Sequence, residues 1–336
     1  MYKRQAYDSD IDHIELMQFR SLGAYDATAN LYEPLIAQKL VPGEEGEFIG
    51  TNEFEGAVAA TFDVSDDGTV FTFYLREDAQ FADGTPITAH DYKYTFDRAM
   101  QGPGYIGLLT PFMALESPDD VVVVDDYTLQ VTTARPAALT ETIIAFQVFG
   151  AISKATADAN ATAEDPWADE WHRTNSNSSG PYHITEWNAG TEYLFEPNPN
   201  YWRGEDWFQN SGVVFRVVPD ASTRQSLLRA GDVDVALGMP FSDLDDLAAD
   251  EGITIHAIPT TRLYHLGMNL NTPPFDDKRV RQAVSMAVPY EAIFENVIYG
   301  YGLLPTSVIP EGMEGHTDEF YTYDEADLDA ARALLA

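Results

Sequence analysis

The sequence predicts an α/β protein. A strand, helix and strand can be read in succession in "VVFRVVPDASTRQSLLRAGDVDVAL", Val213 to Leu237, and such a unit favours parallel strands in an α/β layer. Two further stretches, "VVVVDDYTLQVTT" and "YHITEWNAGTEYLFEPN", read as β-hairpins, while helical patterns dominate after Asp277. A chain of 336 residues with 45% hydrophobic content can bury a sizeable core and suggests about two domains.

Taken in order, "GAYDATAN" (Gly23 to Asn30) carries Gly, Asp and Asn and is expected to form an irregular turn. "LYEPLIAQKL" (Leu31 to Leu40) reads as a short helix broken early by Pro34, and Gly43 to Gly56 as a polar connector. Thr69 to Leu75, after the turn signal Asp66-Asp67-Gly68, is β-branched and aromatic and predicts a strand. A second turn at Asp83 to Pro86 leads to Thr88, which can cap a helix with Asp91 at its third position and Tyr92, Phe96 and Met100 on one face. The first hairpin turns around Asp125-Asp126 and the second at Asn188-Ala189-Gly190, with Ala155 to Gly180 a loop by composition between them. Asp220 or Ser222 should cap the helix that follows, and Gly231 should end it. "ITIHAIP" (Ile253 to Pro259) and "LYHLGMNL" (Leu263 to Leu270) read as strands, with Pro273-Pro274 halting the second. Helices are expected at Asp277 to Val288, Tyr290 to Tyr299 and Glu325 to Leu335.

Charge narrows the function. Asp+Glu 55 against Lys+Arg 19 gives a formal net charge of -36, which argues against nucleic acid as a partner because phosphate contacts need clustered Lys and Arg. The acids are dispersed in short clusters such as Asp243-Asp245-Asp246, a pattern suited to a solvated surface in high salt; a funnel for cationic ligands is the rival reading. No cysteine means no disulfide and no thiolate chemistry. No apolar run is long enough for a membrane span. Met1 to Gln5 is too short and polar for a signal peptide, so the start reads as a truncation or a foreign scar.

Catalytic signatures do not emerge. The seven histidines lack zinc-helix spacing, and the tightest acidic group, Asp10, Asp12, His13 and Glu15, lacks the turn glycines of a hard-cation loop; no metal and no cofactor is expected. No nucleophile elbow, phosphate-binding loop or dinucleotide fingerprint is present, and carboxylates are too abundant for a glycosidase pair to be legible. Five tryptophans between Trp167 and Trp207 could form a stacking platform, or pack the hairpin against the loops over it.

The order of motifs resembles the extracytoplasmic solute-binding proteins of ABC transporters, family 5, the peptide- and nickel-binding type. The resemblance rests on "LYEPLI", "VSDDGTVFTFYLREDAQFADGTPITAHDYKYTFDRAM", "SSGPYHITEWNAGTEYLFEPNPNYW", "VVFRVVPDASTRQSLLRAGDVDVAL", "MNLNTPPFDDKRVRQAVSMAVPYEAI" and "YDEADLDAARALL". The stretch Val41 to Ala60 departs from the family in its extra acidic, glycine-bearing sequence, and family members are usually longer by well over a hundred residues.

The resemblance implies a two-lobed fold like that of periplasmic binding proteins of class II type, with the second lobe incomplete. The first lobe would comprise residues 6–38 and 182–260, with 39–181 as an accessory subdomain, 261–272 as the crossover and 273–336 as the start of the second lobe. At that start, Val280, Val284 and Val288 would form a buried stripe behind Asp276 and Asp277 at the helix N-terminus. The implied function is capture of a di- or oligopeptide outside the membrane, in the periplasm or at the cell surface, and delivery to ABC permease membrane subunits by a monomeric, non-enzymatic receptor. A nickel chelate or an oligosaccharide is the alternative within the family, and a secreted hydrolase the alternative from another class. Carried over by the resemblance, the ligand would touch Gly23, Ala24, Tyr25 and Asp26, then Ser179 and Gly180, then Leu266, Met268 and Asn269; Asp26 could face an ammonium group. The residues that select a peptide's termini would lie mainly beyond Ala336.

Overall fold

The computed structural model describes residues 1–43, 48–256, 260, 262–310, 313, 315–318 and 326–336. The chain forms two compact units, Met1–Gly238 and Met239–Ala336.

In the first unit the elements run β1 (Lys3–Tyr7), α1 (Leu22–Leu31), β2 (Ile36–Pro42), β3 (Phe48–Gly56), β4 (Ala59–Val64), β5 (Val70–Leu75), α2 (Ala89–Gln101), β6 (Val121–Asp125) and β7 (Thr128–Thr132). They continue through α3 (Thr140–Ile144), α4 (Lys154–Asn160), α5 (Asp169–His172), β8 (Tyr182–Asn188), β9 (Glu192–Pro197), β10 (Val213–Val217), α6 (Ala221–Ala230) and β11 (Val235–Ala236).

Five strands form a mixed sheet in the order β11-β1-β10-β9-β8. β1 runs parallel to both neighbours, with Gln5 opposite Phe215 on one side and Val235 on the other. The strand–helix–strand unit is therefore present, but its two strands are split by β1 rather than paired with each other. Asp220 accepts from the Thr223 amide at 2.8 Å and Gly231 ends α6 at φ 71, the two roles read from the sequence.

Away from this sheet the chain builds an antiparallel sheet, β4-β5-β7-β6, before returning at β8. α2 packs on that sheet, with Tyr92 and Phe96 fully buried. The Asp91 carboxylate accepts from the Thr88 amide at 2.9 Å, the reciprocal half of the expected capping box. One apolar core, from Tyr7 through Phe73 and Phe96 to Phe215, runs continuously under both sheets.

The N-terminal expectations are corrected. Gly23 to Asn30 is helical, not a turn: Ser21 caps α1 by accepting from the Ala24 amide at 3.1 Å, its alanines and leucines favour the helix, and burial of Gly23, Ala24, Ala27 and Leu31 offsets the weaker propensity of Gly23, Asp26 and Asn30. Over Leu31 to Leu40, where a helix is expected, Leu31 ends α1 and Ile36 onward forms β2. The polar connector supplies β3, which pairs antiparallel with β2 from Ile36–Gly56 to Pro42–Phe48; Glu44 to Glu47 fall outside the described residues. This ribbon is largely exposed on both faces, so it carries no alternation that sequence reading could find. The loop expected over Ala155 to Gly180 contains α4, capped by the Ser153 hydroxyl, and the short α5.

The second unit holds α7 (Phe241–Ala248), α8 (Lys278–Ala287), α9 (Tyr290–Asn296) and α10 (Leu328–Leu335). Asp277 accepts from the Arg279 amide at 2.8 Å at the start of α8. α8 packs against α10, with Ala283 and Ala331 the buried contacts, whereas Val280, Val284 and Val288 are only half-buried. Glu325, the expected start of the last helix, lies outside the described residues. Leu263 to Leu270 and Ile253 to His256 are not strands: no ladder among the described residues pairs with them, and Tyr264, Leu266 and Leu270 are exposed. Ala257 to Pro259, the end of the other expected strand, are outside the described residues. Among the described residues no helix is long and apolar enough to cross a membrane.

Candidate ligand site

The loop from Asp8 to Ser21 joins β1 to α1 and is fixed by its own acids. Asp12 accepts from the Ser21 hydroxyl at 2.6 Å and from the Arg20 amide at 3.1 Å, and the same hydroxyl caps α1. Asp10 receives the Tyr193 hydroxyl and the Ile11 amide. Glu15 points inward to Arg98 at 2.9 Å, and Arg98 also meets Asp169 at 2.5 Å; the side chains of Glu15 and Arg98 are wholly buried. Burial raises the Glu15 carboxyl to about 7 against the pull of Arg98. The acids singled out in the sequence thus go to separate partners, and each pins a different part of the loop.

The first turn of α1 presents the four residues carried over to the ligand. Gly23 and Ala24 are buried; a Cβ on Gly23 would stand 2.9 Å from the Phe215 ring and 3.3 Å from the Asp10 carbonyl, so helix and sheet approach closely only with glycine there. Tyr25 is exposed, its ring 6.3 Å from Phe19 and 5.8 Å from Phe146. Asp26, half-buried, lines a small cavity of about 60 Å³ with Tyr7, Asn30, Tyr182, Phe195 and Phe215. Tyr7 and Phe215 stack at 3.6 Å to make part of its wall. Burial raises the Asp26 carboxyl while the Tyr7 hydroxyl draws it back, and no ion pair reaches Asp26 among the described residues. A space of this size suits a terminal group rather than a whole residue.

Ser179 and Gly180 lie beside the other end of α1. The Ser179 hydroxyl accepts from the Glu33 amide at 3.1 Å and donates to the Ala151 carbonyl at 2.9 Å. The Gly180 amide donates to Leu31 O at 2.9 Å, and a Cβ there would stand 2.7 Å from Asn30 O. Their polar groups are committed to holding the turn after α1, so any part they play at a ligand is one of shape. The structure therefore joins these two with the α1 group through Asn30, Leu31 and Tyr32. Leu266, Met268 and Asn269 belong to the second unit, where Leu266 and Asn269 are exposed, Met268 is half-buried and Asn269 accepts from the Asn271 amide at 3.0 Å.

A larger cavity of about 480 Å³ lies beside the same loop, lined by His13, Gln18, Arg20, Gly104, Tyr105 and Arg173. The Tyr105 amide donates to Met17 O at 3.0 Å and its hydroxyl to Phe19 O, so the segment after α2 is tied to the loop between β1 and α1. Gly104 sits at φ 121, with a Cβ position only 2.3 Å from Met17 O. Burial lowers the His13 pKa; Asp12 opposes this, and the fields of Arg173 and Arg20 add to it. Of these residues the sequence offered only His13, as part of an acidic cluster; Gln18, Arg20, Tyr105 and Arg173 come from separate segments and leave no local pattern. The aromatic stretch resolves as packing: Tyr201 meets Trp202, Trp207 and Phe208 within 6 Å, and Trp187 meets Tyr193 at 4.6 Å.

The chain is 30% identical to the dipeptide-binding protein of Escherichia coli over 94% of its own length and 59% of the relative's. It is 28% identical to a probable D,D-dipeptide-binding periplasmic protein of the same organism, over 86% and 54%. Its fold matches an ABC transporter-associated periplasmic binding protein from Helicobacter pylori, solved with the peptide STSA, at a TM-score of 0.82 and 23% identity over 100% of this chain and 65% of that one. The α/β fold is thus that of periplasmic binding proteins, and the chain spans little more than half the length of these curated relatives. Residues 53–336 match the profile of the bacterial extracellular solute-binding proteins, family 5 (middle region), and the chain belongs to that family.

Proposed function

We propose that this chain is the solute-capturing part of an extracytoplasmic receptor of an ABC importer, and that its solute is a di- or oligopeptide passed on to the membrane permease. The match of residues 53–336 to the solute-binding family carries this reading. It is supported by the relatives named for dipeptide binding.

In this reading the receptor is a monomer without catalytic activity. Residues 6–38 and 182–260 form the ligand-facing lobe, 39–181 its accessory subdomain, and 261–272 the crossover to a second lobe that starts at 273. Gly23 to Asp26 meet the ligand directly, and Ser179 and Gly180 set the shape of the wall. Leu266, Met268 and Asn269 contribute from the crossover. Asp26 receives the peptide's ammonium group: a half-buried carboxylate with no cation beside it gains most from a ligand that brings one. An extended peptide gains main-chain hydrogen bonds as well.

The test is incubation with a defined peptide mixture, gel filtration, and mass spectrometry of what co-elutes. Intact peptides retained by the protein and released on denaturation support the receptor. Shortened peptides would point to a hydrolase, and retention of sugars or a nickel chelate in place of peptides would overturn the peptide assignment.

A further inference from the structure

We infer that the cavity between the ligand loop and the segments after α2 and α5 is a subsite for a carboxylate of the solute, with Arg20 and Arg173 as its ligands. This deepens the receptor reading and rests on it.

The argument begins with charge. In a chain with 55 acidic and 19 basic side chains, an arginine meets carboxylates by chance far more often than another cation. Arg4, Arg76, Arg98, Arg216, Arg279 and Arg332 each have an acidic partner within 4 Å. Arg20 and Arg173, like Arg135, Arg203, Arg224, Arg262 and Arg281, have none among the described residues, and these two line one cavity together. Three separated segments bring them there: Arg20 ends the ligand loop, Arg173 follows α5, and Gly104 and Tyr105 close the space from the segment after α2.

Among the described residues the nearby acids form no ion pair with them. Asp12 is occupied by the Ser21 hydroxyl and by the Ser21 and Arg20 amides, and Glu15 is turned into the core against Arg98. His13, nine-tenths buried, lines the cavity with its Nδ1 lacking any partner and its Nε2 3.7 Å from Asp12. Burial lowers its pKa, Asp12 raises it, and both arginines add to the lowering.

Guanidinium groups match a carboxylate through paired N–H donors, and the Gln18 amide and Tyr105 ring complete a mixed polar and aromatic wall. The volume of about 480 Å³ accommodates a side chain with its carboxylate. The cavity also adjoins the candidate ligand surface: Arg20 immediately precedes the Ser21 cap of α1, and Tyr105 holds Phe19, whose ring meets Tyr25. A carboxylate here can come from a peptide's C-terminus or from an acidic side chain.

The experiment is nuclear magnetic resonance of the 336-residue chain with labelled arginine and histidine, titrated at constant ionic strength. The probes are succinate, Ala-Glu-amide, Ala-Gln-amide and Ala-Gln. Saturable shifts of the Arg20 and Arg173 Nε resonances with succinate are expected, weakened about tenfold in Arg173→Gln and in Arg20→Gln while the remaining spectrum stays folded. Stronger shifts with Ala-Glu-amide than with Ala-Gln assign the subsite to an acidic side chain; the reverse order assigns it to a C-terminus. Succinate that leaves both Nε resonances unmoved, or binds both variants as it binds the parent, overturns the inference. Failure of the receptor reading looks different: the peptides then produce no saturable change anywhere beyond what succinate alone produces.

Discussion

Glu33→Gln isolates what it costs to keep an acid inside the first unit. The Glu33 carboxyl is closed off from water and receives the Tyr201 hydroxyl at 3.2 Å to each oxygen. Burial raises it to about 7 from 4.5, although Arg203 and Tyr201 pull the other way. In the unfolded chain it returns to the ordinary value. Between these two values the folded protein holds a proton that the unfolded chain has released, so stability is greatest below the window, falls as pH rises through it, and levels off above it. At about 1.4 kcal/mol per pH unit, the window is worth about 3 kcal/mol. Gln keeps the shape and stays neutral throughout. The two proteins should therefore agree within about 1 kcal/mol near pH 5, and the variant should be more stable by about 3 kcal/mol near pH 8. Glu15 contributes a slope of the same sign to both proteins, so it cancels in the difference. Urea unfolding followed by tryptophan fluorescence measures this, because all five tryptophans lie before Gly238 and report the first unit alone. Parallel pH profiles for the two proteins would refute the reasoning.

Arg98→Ala leaves Glu15 and Asp169 facing an empty core position and should cost about 3–5 kcal/mol in urea melts. Arg98→Met combined with Glu15→Gln should recover part of that loss, and a single-variant loss below about 1 kcal/mol would contradict the bridging role. Gly180→Ala drives a methyl against Asn30 O and the Leu31 and Tyr32 backbone, so it should cost about 1–3 kcal/mol and speed amide exchange in the last turn of α1. With a net charge of -36, the melting temperature should climb from low to molar salt as carboxylate repulsion is screened; a melting temperature indifferent to salt removes that explanation of the acidic surface.

Legibility in the sequence followed the range of the forces involved. α2, the strand from Val70, both hairpins and α6 were readable because caps, turns and apolar periods lie within a dozen residues of one another. α1 was not, since the Gly, Asp and Asn within it read as turn signals and outweighed its alanines, whereas the Ser21 cap and the burial of Gly23 against Phe215 and the Asp10 carbonyl favour the helix. The β2–β3 ribbon failed for the opposite reason: exposure on both faces leaves no pattern. The apolar run Leu263 to Leu270 looked like a strand, but pairing depends on a partner that its own composition does not specify. At the candidate site, α1 residues came from family resemblance, whereas the pairing of Arg20 with Arg173 exists only once β1, α2 and α5 are assembled.

The placement of β1 between β10 and β11 has a consequence for synthesis. Its neighbours begin at Val213 and Val235, so β1 once synthesised has no place to pair until more than two hundred further residues have followed. At common translation speeds that interval is roughly 10 to 40 s. Meanwhile β4 to β7 and α2 draw their pairings from residues between Ala59 and Thr132 and can close among themselves. The four-stranded sheet is then the natural first product, and the loop between β1 and α1 takes its final form only when the last strands of the first unit arrive.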